Sequence, residues 1–392
     1  MTAEVVVLGA GYAGMMAAIR LARRAGARAR VTLVNESPYF VERIRLHQLA
    51  AGHTPRRRPL SSLLRKTQVR LRVGRVAAIE PRARQIQVEA AGTLGFDFLV
   101  YALGSGRRDA SIEGLAEHAY DVAAEDSANA LRQRLIALPK GARVSVIGAG
   151  LTGLELAAEI AEARPGLRVT LLASSELGDG LSPAGKVAVQ TALAELGVEV
   201  RSQARVAAVG RSALELTHGE ALASDVSVWC GGLSASPLAR QMGLPVAPSG
   251  QLALDDLLRV PSVPQIFGAG DGVGITGVSA PGLRMACATA MPLGAHAADN
   301  VLRAIAGEPL EPFRFAYWMR CISLGRKRGL IQRVSGTDEP LEKVVSGRLG
   351  AKLKESVCRF TLTALAIERV FPGTYSWPGK GSTAAAAEAT IA

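Results

Sequence analysis

Apolar and polar positions along this chain follow two different periods, and the order in which those periods occur outlines an architecture. Val5–Leu8 is a short β-branched run; after a turn, apolar residues recur at helical spacing to about Arg24, and a second β-like run follows at Val31–Val34. The same succession returns as Val144–Ile147, a helix to about Ala163, and Val169–Leu172. Between the two copies, Val73–Ile79 and Gln85–Val88 predict strands, and Phe96 to Gly106 predicts a buried strand ending in a Gly-rich turn. Asp109 to Ala119 reads as a linker. Further strands are expected at Val198–Val200 and Val226–Cys230, and Val263 to Gly274 is a strand entering a turn with an aspartate at its tip. Arg284 to Gly307 predicts a long helix with Pro292 inside it, kinked where the proline removes a backbone donor. Near the end, Leu349, Leu353, Val357, Phe360, Ala364, Ile367 and Phe371 form one apolar face of an amphipathic helix, flanked by Lys352, Lys354, Arg359 and Arg369. Gly379 to Ala392 is Ala-rich and predicts a disordered tail.

The two turns carry the chemistry. The first is Gly9-Ala10-Gly11-Tyr12-Ala13-Gly14; the second is Gly148-Ala149-Gly150-Leu151-Thr152-Gly153, 139 residues later. In a strand–GxGxxG–helix unit the first glycine permits the tight turn, the second lets backbone approach a pyrophosphate, and the third packs helix on strand. Tyr12, Ala13, Leu151 and Thr152 then lie in the first helical turns, where free N–H groups and the helix dipole favour an anion. Two glycine turns that merely pack helices are the plain alternative. Because each copy follows a strand, opens a helix and leads to another strand, two bound dinucleotides are expected.

At 392 residues the chain has room for two or three domains. Residues 1–90 hold seventeen Lys+Arg against five Asp+Glu, a surplus equal to the net charge of +12 for the whole chain. Composition bias is the plain account of that surplus; an acidic partner or anionic membrane surface is the functional one. No aromatic platform or binding motif accompanies the charges, so nucleic acid is not expected. The four cysteines, Cys230, Cys287, Cys321 and Cys358, are 57, 34 and 37 positions apart, which excludes a local CxxC pair and predicts no metal site. With no signal-like start and no transmembrane run, the expected location is cytoplasmic, or peripheral on the inner face of the membrane.

The order of parts is a dinucleotide unit, an inserted second unit, and a return to the first through "IFGAGD". In this the chain resembles the two-dinucleotide-binding flavoproteins, the pyridine nucleotide-disulfide oxidoreductase superfamily, over about its first 310 residues. The matching elements are Gly9/Gly11/Gly14, the "VYALGS" turn with Ala102 and Gly104, Gly148/Gly150/Gly153, and Gly270-Asp271. The resemblance implies an α/β fold: two Rossmann-like domains, for FAD and NAD(P)H, plus a small α+β C-terminal domain. The expected divisions are 1–110 and 247–310 for FAD, 111–246 for the nicotinamide, 311–378 for a C-terminal interface or membrane-surface domain, and 379–392 for the tail. It also implies that Asp271 holds the ribityl chain of FAD.

The helix after the second strand, Asn35 to Gly52, carries no cysteine, so reduction through a protein dithiol is excluded. "VTLVNESPYF", "LGAHAADNV" and "FRFAYWMRCISLGRKRGL" resemble the type II NADH dehydrogenases. Two departures stand out. Ala288 and Pro292 or Leu293 occupy places where those enzymes usually carry glutamines facing flavin and quinone. No carboxylate ends the strand of the second unit: Ala173, Ser174 and Ser175 follow Leu172, which removes repulsion against a 2′-phosphate and leaves NADPH or NADH open. On the FAD side Asn35 or Glu36 is expected at the ribose, unless Asn35 only caps a turn. Arg43, Arg45, His47 and Gln48 follow near the flavin. An unperturbed imidazole titrates near neutrality, so His47 could protonate a reduced acceptor, or serve only as a structural hydrogen-bonder. The helix start around Met285 to Thr289, Ala288 included, is expected to supply positive potential to the flavin.

The implied function is an FAD-dependent NAD(P)H dehydrogenase passing electrons to a quinone or quinone-like small molecule. A soluble flavin oxidoreductase acting on a small organic substrate and a slow-turnover redox sensor are the alternatives. The C-terminal helix packs on the body or on a second subunit, or lies on a membrane surface.

Overall fold

The computed structural model describes residues 2–107, 112–277 and 282–380. Its centre is a six-stranded sheet in the order Arg259–Val260, Val263–Gly268, Phe98–Tyr101, Ala3–Leu8, Ala29–Asn35, Arg70–Val73. All neighbours pair in parallel except the short edge hairpin made by the first two. A second sheet is wholly parallel: Ala119–Asp121, Val226–Trp229, Arg143–Ile147, Arg168–Leu172, Glu199–Arg201. Strands such as Val5–Leu8 and Val144–Ile147 are buried along their length, as a parallel sheet covered on both faces requires.

The internal repeat extends well past the glycine turns. Gly9 N–H donates to Val34 O and Gly148 N–H to Leu172 O, both at 2.8 Å, so the two units share one register. Gly9 and Gly148 have φ of +92° and +106°, and a Cβ on either would run into the backbone of Ala102 or Cys230, the residues that follow the strands Phe98–Tyr101 and Val226–Trp229. Each unit also carries a three-stranded antiparallel meander just before the strand Phe98–Tyr101 or Val226–Trp229: Val76–Glu80, Gln85–Val88, Gly92–Gly95 in the first, and Val206–Val209, Ala213–Leu216, Ala221–Ala223 in the second. The chain passes between units through two short strands, Ser105–Arg107 and Leu233–Ala235, paired antiparallel.

Three expectations are corrected here. Val73–Ile79 is two strands, not one: Arg70–Val73 ends the parallel sheet and Val76–Glu80 begins the meander. Gly74 makes the break, since its N–H donates to Asn35 O at 2.8 Å and a Cβ there would strike Glu89. The linker of 109–119 is only partly one. Residues 108–111 lie outside the described residues, Leu115–His118 is a helical turn, and Ala119 opens an edge strand of the second sheet. The tail falls outside the described residues from 381 onward.

The third correction concerns the C-terminal helix. It runs Gly347–Val370 after a three-stranded antiparallel sheet, Met319–Ser323, Gly329–Val334 and Pro340–Val345. Its buried residues are Gly350, Cys358, Thr361, Ala364, Leu365 and Glu368, whereas Leu349, Phe360 and Phe371 are 59%, 54% and 64% exposed. Apart from Ala364 and the half-buried Val357, the apolar stripe therefore does not cover the body. The inward face is chosen by close approach and by charge. A Cβ on Gly350 would collide with Gly329 O, and Glu368 grips Arg20 of the helix Tyr12–Ala25. Arg20 and Glu368 are both fully buried, bonded at 2.6 and 3.0 Å; Arg20 also donates to Asp299 at 3.0 Å and to Tyr375 O at 2.9 Å. Glu368 accepts further from the N–H groups of Gly373 and Tyr375, which nearly completes the acceptor capacity of its two oxygens.

Removing one partner of a buried, fully bonded pair strands the other charge and costs about 3–5 kcal/mol. Glu368→Ala should lower the thermal midpoint markedly and raise amide exchange first in Gly347–Val370. A midpoint equal to wild type would show that the pair does not anchor the helix.

Candidate functional site

Three helix N-termini at or beside the glycine turns are left open. The helices Tyr12–Ala25, Leu151–Ala163 and Cys287–Ala306 begin after Gly11, Gly150 and Ala286, with no side-chain cap and no acidic residue in the first turn. Helix starts leave N–H groups unpaired, and here no local side chain takes them. Around Gly11 and Gly150 a built Cβ meets nothing within 4 Å, while Gly14 and Gly153 lie so close to the Gly9 and Gly148 carbonyls that no side chain fits. Open backbone at the second glycine and contact at the third are what a dinucleotide diphosphate requires of such a loop, so the residues present fit FAD and a nicotinamide dinucleotide.

The first site is closed by the turn at Gly270-Asp271. A Cβ on Gly270 would press on the Ala13 side chain at 3.0 Å, and one on Gly272 would meet Gly104 O at 2.8 Å, so this turn sits against both the glycine loop and the Ala102–Ser105 turn. Asp271 accepts from Ser105 Oγ at 2.9 Å; Arg43 donates to Ser105 O at 2.6 Å. Burial raises the Asp271 carboxyl against the pull of Arg43 and Ser105. A carboxylate held by one hydroxyl retains acceptor sites for the hydroxyls of a ligand. Asn35 is occupied locally, accepting from Ala10 N–H and donating to Ser37 O, both at 2.8 Å; Glu36 beside it is exposed.

In the second unit the shared register sets Ala173 at the place of Asn35. Ala173 is 2% exposed and its N–H donates to Arg201 O at 2.9 Å; Ser174 and Ser175 are exposed. Glu176, the nearest acid, bonds Gln203 at 3.1 Å. In the third helix the chain is helical through Pro292, whose missing N–H leaves the carbonyl of exposed Ala288 without its usual partner. Thr289 is buried with its hydroxyl spent on the carbonyls of Arg284 and Ala286 at 2.7 and 2.9 Å. Tyr12 is buried edge-on against Phe40, its hydroxyl pushed up by burial.

Arg45, His47 and Gln48 are brought to the junction of the two units and the C-terminal helix. Arg45 donates to Glu355 at 2.9 and 3.0 Å, to Glu42 at 3.1 Å and to Gln48 at 3.2 Å, so its guanidinium and Gln48 are committed to an ion-pair network. His47 is buried between two carboxylates of the helix Leu151–Ala163, 3.8 Å from Glu155 and 4.0 Å from Glu159. Burial lowers its pKa to about 4 despite Glu155, so the imidazole is neutral. Glu155 in turn pairs with Lys354 at 3.1 Å and accepts from Ser323 N–H at 3.0 Å. Burial would raise Glu155, but Lys354 outweighs it, and Glu155 likewise holds the half-buried Lys354 ammonium above its ordinary range. Cys287, the first residue of the third helix, lies within electrostatic reach of both Lys354 and Asp271. The signal missed in sequence was Glu155 and Glu159 at i, i+4 within the apolar run "LTGLELAAEIAEA".

The cysteines are free; burial pushes Cys230 up to about 12 and Cys287 and Cys321 up to about 11, which keeps them thiols. Among the described residues no group of His, Cys, Asp and Glu has metal-site form.

Fold and site together define a flavoprotein with two dinucleotide sites. A family model for the pyridine nucleotide-disulphide oxidoreductases matches residues 3–294, and the chain belongs to that family; it is an FAD- and pyridine-nucleotide-dependent oxidoreductase. An NADH dehydrogenase-like protein of Mycobacterium tuberculosis is 34% identical over 353 residues, 82% of this chain and 86% of that one. A type II NADH:quinone oxidoreductase of Staphylococcus epidermidis is 26% identical over 396 residues, 90% and 94%. The NDH2 structure from Plasmodium falciparum in complex with NADH shares the fold at a TM-score of 0.77 with 14% identity, covering 96% of this chain and 99% of that one.

Asp271→Ala should lower flavin occupancy strongly, because hydrogen bonds to a charged acceptor contribute about 1.5–3 kcal/mol each. The ratio of flavin to protein absorbance after purification reads it, and an undiminished ratio would remove Asp271 from the site.

Proposed function

We propose that this protein oxidises NAD(P)H and reduces a quinone or quinone-like acceptor. FAD bound at Gly9–Gly14, Glu36, Arg43, Ala102–Gly104 and Asp271 supplies the two-electron chemistry. Gly148, Gly150, Leu151, Thr152 and Gly153 hold the nicotinamide diphosphate, and Ser174 and Ser175 face its adenosine ribose. The open turn around Ala288 and Thr289 gives the flavin a positive end of a helix. Lys354, kept charged by Glu155, stabilises negative charge gained by the acceptor as it is reduced.

One observation carries the acceptor. The helix Gly347–Val370 turns Lys354 inward to Glu155 and exposes Leu349, Leu353, Phe360 and Ile367 outward, with Phe371 exposed just past its end. A single element thus joins the charged junction to an apolar surface, as a reaction with a lipid-dissolved molecule needs. The relatives named for quinone reduction point the same way. No helix among the described residues is long and apolar enough to cross a membrane, and this surface is the one we assign to contact with lipid. A second copy of the chain is the other cover for it.

Phe360→Ser combined with Ile367→Ser should abolish co-sedimentation with anionic vesicles and leave the thermal midpoint unchanged. Retained sedimentation, or a dimer lost in its place, would assign the stripe elsewhere.

At the second unit, Ala173 places no carboxylate against a 2′-phosphate, and we read this site as accepting NADPH beside NADH. Ala173→Glu restores the repulsion and gives NADH a ribose acceptor, which should move the kcat/KM ratio toward NADH by roughly 10-fold, about 1.4 kcal/mol. Stopped-flow bleaching by each nicotinamide, followed by reoxidation with a menadione-type quinone, tests the whole reading. A flavin that neither nicotinamide bleaches ends the dehydrogenase reading, and one that no quinone reoxidises ends the acceptor reading.

A further inference from the structure

Reducing a quinone to a quinol takes two electrons and two protons. NAD(P)H supplies both electrons and one hydrogen nucleus, so one proton per turnover must come from solvent. Lys354 and Glu155 keep only 15% and 12% of their side-chain surface exposed, and an acceptor seated beside them closes that opening, so a proton reaching the pair needs another route.

Such a route is built from residues that the reactions above leave without a task. His53, whose side chain is 42% exposed, stands with Nε2 2.9 Å from Glu159 Oε1. Glu159 is fully buried on the helix Leu151–Ala163, and neither of its oxygens has a hydrogen bond, the contact with His53 included. His47 Nε2, also without a hydrogen bond, lies 4.0 Å from Glu159, and its Nδ1 lies 3.8 Å from Glu155. Glu155 contacts Lys354 at 3.1 Å. Carboxyl, imidazole, carboxylate and ammonium thus succeed one another from surface to junction. An imidazole can accept at one nitrogen while it donates from the other, which suits His47 to the middle of such a chain.

We propose that His53, Glu159 and His47 form a proton entry relay, handing one solvent proton per turnover to the Glu155–Lys354 pair and from there to the reduced acceptor. The inference rests on the quinone reading. In each cycle the acceptor takes a proton from Lys354, Glu155 and His47 pass one inward to replace it, and Glu159 reloads from His53 and water. Charge and atoms balance once the His47 proton returns from Nε2 to Nδ1, which resets the relay after one proton has moved.

The surroundings of Glu159 suit the task. Burial raises its carboxyl to about 7 against the pull of Arg326, with Glu162, Glu155 and Glu355 adding to the rise. The groups facing it are His47 and His53 from the segment after the first unit's second strand, Arg326 from the turn before Gly329–Val334, Glu162 and Glu155 from its own helix, and Glu355 from the C-terminal helix. Arg326 is itself shared, bonding Glu355 at 3.2 Å and, through its backbone N–H, Glu162. Glu159 therefore changes protonation near neutrality, where a relay group exchanges protons with least cost in either direction.

The test compares acceptors. Ferricyanide takes only electrons, whereas a menadione-type quinone takes protons too. Glu159→Gln, of the same shape but unable to titrate, should slow quinone-dependent reoxidation by roughly ten-fold or more. Bleaching by NADH and reoxidation by ferricyanide should keep their wild-type rates. Wild-type quinone reoxidation should fall as pH rises through about 7, where Glu159 loses its proton; the variant should be flat there, and Glu159→Asp should restore the slope. Independently of turnover, the infrared carbonyl band of a protonated buried carboxyl should be present on the acid side of neutrality and missing from Glu159→Gln. His53→Gln, at the exposed end, should reproduce the quinone defect in a milder form. Wild-type quinone rates in Glu159→Gln, or equal slowing with ferricyanide, would overturn the relay. A wild type that ferricyanide reoxidises and quinone does not would instead defeat the acceptor reading.

Discussion

Everything in this chain depends on bringing a helix N-terminus and a strand end together with no side chain between them. Glycine at 14 and 153 removes the only atoms in the way, and glycine at 9 and 148 turns the chain in a region that side chains avoid. The open N–H groups then have nothing local to bond, which would be a cost in a helix that bound no anion. A diphosphate meets that need, and the same solution used twice yields two nucleotide sites held in one frame. The paired strands Ser105–Arg107 and Leu233–Ala235 set the two units against each other.

The third open helix and the C-terminal helix finish the arrangement. Ala13 and Gly294 meet where a Cβ on Gly294 would strike the Ala13 backbone, so the helix Cys287–Ala306 lies directly on the first glycine helix. Arg20 then carries the C-terminal helix on the same support through Glu368. A buried ion pair of this kind is weak evidence for stability, because desolvation offsets much of the attraction. It does fix orientation: with Glu368 inward, the apolar stripe is turned outward and Lys354 toward Glu155. Packing by small residues and charge has overridden the hydrophobic pattern.

That reversal separates what was legible in the sequence from what was not. Period and glycine spacing act between residues close in the chain, so both strand–turn–helix units, the return at Gly270-Asp271 and the absence of a dithiol could be read directly. The amphipathic helix could be read as a helix, but which face it buries depends on Gly329 and Arg20, distant in sequence. His47 could be singled out as a titrating residue, while its two carboxylate neighbours come from another unit.

The sequence by itself determined the two dinucleotide units, their order and the lack of a carboxylate at Ala173, because each follows from local backbone geometry and from the chemistry of single positions. Tertiary structure alone decided the charged junction. Burial lowers His47 and raises Glu159 only when the helix Leu46–Ala51, the helix Leu151–Ala163 and the C-terminal helix exclude water together. A pKa is a property of surroundings, and those surroundings are assembled from segments some three hundred residues apart.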